Sequence, residues 1–207
     1  MTRWDLVERQ HLEATLRGAD ALAPTLCEGW EVRHLLVHLY LRRHQPWRTF
    51  NEDEGSVFAE LSEQARDRSA YQALVERFAS PVARLSPMAL MDGPMGRLTN
   101  TVEYVVHHED VRRGAGPVPA RTLPAEHSDT LFDAVAQMAR MTMRGLGVGV
   151  VLAVPGGRRR VVKRAEDSVA VVGSPVELAL VASGRRRAAD VELLGSDAAI
   201  GSFTAAF

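Results

Sequence analysis

Glu103 and His107 stand four residues apart in the segment NTVEYVVHHEDVRR. On a helix this spacing leaves two side chains about 40° apart around the axis, close enough to converge on one ion, with Val102, Val105 and Val106 on another face. A third donor is available from His38, on the shoulder of an apolar stripe formed by Val32, Leu35, Leu36 and Leu39 at i, i+3, i+4 and i+7. A side chain at that position points toward the seam between helices. Imidazole and carboxylate suit zinc, and three protein ligands leave a coordination position for water or substrate, as catalytic zinc sites require. Spacing alone leaves the choice open, because His34 precedes His38 by four residues on nearly the same face, and His108, Glu109 and Asp110 crowd the other segment. Each pattern also has an everyday meaning: a Glu–His surface pair in one case, a packed histidine in the other.

These residues need helices to hold them, and the first two thirds of the chain supply helical patterning. Trp4, Val7, Leu12, Ala14 and Leu16 mark a first helix ending near Gly18, and the His38 stripe marks a second. A run over 57–80, rich in Ala, Glu, Gln, Arg and Leu and stopped by Pro81, reads as a third. Asn100 or Thr101 is a candidate cap for a fourth, which carries Glu103 and His107. A further helix over about 125–144 follows the Gly-Pro-rich segment 114–119 and ends before Gly145 and Gly147. The patterning then changes: VGVVLAVPGGRRRVVK reads as two β runs joined at Pro155, Gly156 and Gly157, and SVAVV as a third. Ser174 and Pro175 offer an N-cap and first-turn proline for the helix VELALVA, VELL reads as a fourth strand, and Asp197 is placed to cap a terminal helix. We expect a mainly α protein, with a metal-binding four-helix bundle over 1–146 and a small α/β domain over 147–207.

The segments TLCEGWEVRHLLVHLYLRR and NTVEYVVHHEDVRR resemble the two signature helices of the DinB-like metal-binding superfamily, in its mycothiol-dependent maleylpyruvate isomerase branch. In that family a Trp precedes a helix whose histidine is a metal ligand, matching Trp30 and His38. A later Glu-x-x-x-His supplies the other two ligands, matching Glu103 and His107. The resemblance implies zinc or another divalent metal, mycothiol or a similar low-molecular-weight thiol as co-substrate, and a transferase or isomerase acting on a small electrophile. A metal in such a site stabilises the thiolate at neutral pH. The resemblance also implies a basic residue from the C-terminal domain in the catalytic pocket, with Arg185 in the matching place, although Arg186 and Arg187 adjoin it and arginines after a helix also act as solvated caps. The family often has an acidic residue where this chain has His34, so His34 is an extra or competing donor. Asp110, three residues past His107, shares its face and is a candidate acceptor for an imidazole N–H.

Bulk properties narrow the partners. Lys and Arg number 25 against 26 acidic residues, a balance that gives no field for drawing the chain onto nucleic acid or an anionic membrane. The basic run 158–164 is interrupted by valines, contains no aromatic residue and reads as the polar face of a hairpin. The start, MTRWDLVERQ, has no apolar core of signal-peptide length, and no stretch approaches the roughly twenty apolar residues of a spanning helix. A cytoplasmic protein with small-molecule partners is expected. The single cysteine, Cys27, excludes an internal disulfide and a zinc finger, and its loop offers no obvious base, so a structural role is expected. Trp47 and Phe50, after Pro46, are expected to pack at one end of the bundle. Two other readings stay open: metal-assisted hydrolysis, and a non-catalytic module whose metal takes a fourth ligand from His34 or Asp110.

Overall fold

In the computed structural model the described residues are 2–48, 53, 56–82 and 96–206, and Phe50 lies outside them. They fall into two compact units, Met1–Val118 and Pro119–Phe207.

The first unit is helical: α1 (Trp4–Gly18), α2 (Val32–His44), α3 (Val57–Gln64), α4 (Arg68–Ala79) and α5 (Arg97–Arg113), with a 3₁₀ turn at Pro46–Arg48. The predicted stripe of α2 is buried, with Leu35 and Leu36 fully inaccessible, and it packs against α3 and α4. Val37, Tyr40 and Leu41 are buried as well, so α2 is enclosed on more sides than an amphipathic helix requires. Its buried cations must therefore find partners inside the unit. Arg33 donates to Glu31 at 2.6 Å and to the Ser62 carbonyl at 2.5 Å, and Arg43 donates to the carbonyls of Phe78 and Ser80. Helix α5 lies along α1, with Leu12, Leu16, Val105 and Val106 buried.

The run 57–80 forms two helices where one was expected. The chain turns at Ala65–Asp67, and the Asp67 side chain accepts the Ala70 N–H at 3.0 Å, starting α4 afresh. An Asp that can cap its own downstream turn competes with helix continuation. Helix α5 starts at Arg97 after Gly96, one turn before the expected caps. Thr101 instead bonds back to the Arg97 carbonyl at 2.8 Å, and the Asn100 side-chain oxygen accepts from Arg42 at 3.2 Å.

A loop over residues 24–31 joins the end of α5 closely. The Leu26 N–H donates to the Asp110 carbonyl at 3.1 Å, and a Cβ at Gly114 would stand 1.9 Å from the Pro24 carbonyl oxygen. Only glycine permits that approach. Within the loop the Trp30 N–H closes a turn on the Cys27 carbonyl at 3.0 Å, with Gly29 at φ +76 as its third residue.

The second unit contains α6 (Ala125–Thr142), β1 (Gly149–Ala153), β2 (Arg159–Lys163), β3 (Ser168–Val172), α7 (Pro175–Ala182), β4 (Glu192–Leu194) and α8 (Asp197–Thr204). The sheet order is β2-β1-β3-β4, with β1 and β3 parallel and both edge pairings antiparallel. Buried Val150 and Leu152 of β1 lie beside Val169 and Val171 of β3, giving the sheet one apolar face. Helix α7 is buried along its whole length and packs on α6. The compact units thus divide before α6, between residues 118 and 119, where the sequence suggested 146/147; burying α7 requires a cover, and α6 supplies it. Ser196, one residue before the expected Asp197, caps α8 by accepting the Ala199 N–H at 3.1 Å. Among the described residues, no helix is long and apolar enough to cross a membrane.

Candidate metal centre

Helix α2 carries His38, and α5 carries Glu103 and His107 one turn apart. Their side chains meet. Glu103 Oε1 lies 3.4 Å from His38 Nε2 and 3.2 Å from His107 Nε2, and the three donor atoms all lie within 4.8 Å of one another. The imidazole centroids are 5.3 Å apart. Donors held about 2.1 Å from one tetrahedral ion lie about 3.4 Å from each other. The carboxylate-to-imidazole separations therefore match what a zinc-sized cation requires, and the donor chemistry suits it.

Each ligand candidate is held from behind. His107 Nδ1 bonds Asp110 Oδ2 at 2.8 Å, and Asp110 is fully buried. With Nδ1 as donor to that carboxylate, Nε2 is the nitrogen turned to Glu103. The Cys27 thiol donates to the same Asp110 oxygen at 3.2 Å. His38 packs against Trp30 with ring centroids 5.4 Å apart, and Trp30 packs against Phe58 at the same distance. Arg42, one turn beyond His38, places Nε 2.9 Å from Glu103 Oε1 and donates from Nη1 to Asn100.

The electrostatics follow from these contacts. Burial alone would raise the Glu103 pKa, but hydrogen bonds from His107 and His38, with the charges of His107 and Arg42, hold the carboxyl well below its ordinary range. Burial would likewise lower His107, yet Asp110, Cys27 and Glu103 outweigh it and raise its pKa well above the ordinary value. Both ring nitrogens of His107 thus face carboxylate oxygens, Asp110 at Nδ1 and Glu103 at Nε2, which favours its protonated form. A metal ion held at Nε2 would take the place of a proton there, with Asp110 left to hold the Nδ1 proton.

The neighbouring residues that spacing left in competition go elsewhere. His34 Nδ1 accepts the Glu31 N–H at 3.0 Å in the capping box of α2, outside the donor group. His108 Nε2 lies 2.8 Å from Thr15 Oγ1 on α1, and its Nδ1 lies 3.7 Å from buried Glu8. Fully buried Glu109 takes Arg112 at 2.7 Å and Arg113 at 2.7 Å. Arg185, in the second unit, donates to the Ser183 carbonyl at 2.6 Å just ahead of the 3₁₀ turn Arg186–Ala188. Arg42 was not singled out from the sequence, and Cys27 was expected only in a structural role, with no link to His107 or Asp110. Arg42 has a local signal, since it stands four residues past His38; Cys27 has none, because its partner is 83 residues away.

The chain thus combines a helical unit bearing a His, Glu, His group with a small α/β unit. Among solved structures it is similar to that of the mycothiol-dependent maleylpyruvate isomerase, with 21% identity over 92% of this chain and 91% of that chain at a TM-score of 0.58, and to that of a histidine-to-alanine mutant of it, with 19% identity over the same shares at 0.56. The chain has their fold. No protein-family model matches the chain, and no curated protein does.

Proposed function

We propose that the protein is a divalent-metal-dependent thiol transferase or isomerase that uses mycothiol or a similar low-molecular-weight thiol on a small electrophile. The observation that carries this reading is the convergence of His38, Glu103 and His107 at separations suited to one tetrahedral ion, with Asp110 behind His107. These three side chains would hold the metal, with zinc favoured by the donor set. Bound there, a divalent cation supplies the Lewis acidity that favours the thiolate of an incoming thiol at neutral pH. The chain does the rest: Asp110 keeps the Nδ1 proton on His107, Trp30 confines the ring of His38, and Arg42 bears on the Glu103 carboxylate. Support for a thiol comes from the description of both matching structures as mycothiol-dependent.

Metal-assisted hydrolysis would use the same three ligands. The four-ligand binding module has less support, because His34 serves the α2 cap and Asp110 is engaged by His107 Nδ1. The test is elemental analysis of untagged protein, followed by calorimetric titration of mycothiol into the metal-loaded and metal-stripped forms. One equivalent of zinc and thiol binding that disappears on stripping are expected. Zinc without thiol binding would overturn the thiol reading in favour of hydrolysis or a binding module, and the absence of any metal would overturn all three.

A further inference from the structure

Arg42 is a charged neighbour of the candidate ligand Glu103. Its Nε stands 2.9 Å from the same Glu103 oxygen that faces both imidazoles. A fixed cation there repels a dication and competes for the carboxylate, so it weakens metal binding. A neutral donor would orient Glu103 without that cost. The guanidinium is also held in place, because Nη1 donates to Asn100 Oδ1 at 3.2 Å, and Asn100 lies one turn before Glu103 on α5. The Arg42 side chain is only 23% exposed, which limits screening by solvent.

Among the described residues that touch the three donors, the charged ones are Arg42 and Asp110. Counting these described residues alone, Glu103 and Asp110 together would offset a dication, and Arg42 would then leave one positive charge in excess. We infer that Arg42 makes the His38, Glu103, His107 centre a receptor for a monoanion, its guanidinium pairing with a ligand that enters as a thiolate or carboxylate. The inference rests on the metal-dependent reading above and adds to it the charge of the ligand selected. Arg42 is then a specificity determinant at the expense of metal affinity, since a guanidinium keeps its charge at every working pH and presents several donors in a fixed fork. A purely structural ion site would gain from its removal.

The test uses the full-length protein loaded with cobalt(II), as wild type and as Arg42→Gln, Arg42→Met and Arg42→Lys. Thiocyanate, a monoanion, and imidazole, a neutral ligand, are titrated while the visible absorption of the cobalt is followed, and cobalt affinity is measured separately against a chromophoric chelator. Thiocyanate binding is expected to weaken about ten-fold or more in the Gln and Met variants, as loss of a nearby charge in a partly buried site dictates. Imidazole binding should stay within about two-fold, cobalt should bind as tightly as before or more tightly, and Lys should restore part of the thiocyanate affinity. Unchanged thiocyanate affinity in both neutral variants would overturn the inference. So would a joint loss of thiocyanate, imidazole and cobalt binding, which marks a structural role. If wild type takes up no cobalt, the metal-dependent reading fails and the inference falls with it; if cobalt binds and only the thiocyanate result fails, that reading stands.

Discussion

Replacing Asp110 by Asn changes one atom pair at the point where α5 and the 24–31 loop meet. In the native site Asp110 Oδ2 accepts from His107 Nδ1 at 2.8 Å and from the Cys27 thiol at 3.2 Å, with the carboxylate fully buried. The amide has nearly the same shape, so the packing survives and its oxygen can stand where Oδ2 stood, but that oxygen is a neutral acceptor in place of a charged one. Hydrogen bonds to a charged acceptor are about twice as strong as neutral ones. Removing such a partner from a ligating histidine costs about 10- to 100-fold in metal affinity, or about 1.4 to 2.7 kcal/mol. Asp110→Ala, which leaves the imidazole N–H without that acceptor, should fall at or beyond the upper end. Competition against a chromophoric chelator measures both variants, and thermal melts of the metal-stripped forms separate lost affinity from lost fold. Wild-type metal affinity in both folded variants would refute the claim that Asp110 sets the orientation of His107.

His38→Ala and His107→Ala are each expected to abolish stoichiometric metal binding by elemental analysis, whereas His44→Ala, which alters a ring stacked on Tyr40, should retain it. Metal uptake should release the proton that His107 carries at Nε2, so apparent affinity should fall about ten-fold per pH unit below the raised His107 pKa, measurable by calorimetry in buffers of different ionisation enthalpy. For the metal-stripped protein the two shifts act in opposite directions: the lowered Glu103 pKa contributes stability that is lost as pH falls below 4.5, and the raised His107 pKa contributes stability complete below 6.5 and lost as pH rises through its folded value. Its melting temperature should therefore peak between these limits. Gly114→Ala forces a Cβ to within 1.9 Å of the Pro24 carbonyl oxygen and should destabilise by about 1–3 kcal/mol in urea unfolding. Arg185→Ala, from the family resemblance, should lower turnover with metal content unchanged.

The sequence by itself determined most of the secondary structure, because helix and strand periods are local: the α2 stripe, the strand runs after Gly147 and the Ser174–Pro175 helix start are all read from neighbouring residues. It also determined that Glu103 and His107 share a helix face. It did not separate His38 from His34, or Asp110 from His108 and Glu109, since residues one turn apart or adjacent on α2 and α5 have nearly equal claims by spacing. Tertiary structure decided among them by giving each a different partner: the α2 cap for His34, Thr15 and Glu8 for His108, two arginines for Glu109, and His107 for Asp110. The split of 57–80 at Asp67 turned on one side chain competing with helix continuation, and the grouping of α6 with the sheet on which surface α7 needed covered. Cys27 shows the limit most clearly. Nothing in its loop points to a partner for the thiol, and Asp110, which accepts from it, is 83 residues away on α5, so only folding brings the thiol to the carboxylate that holds His107.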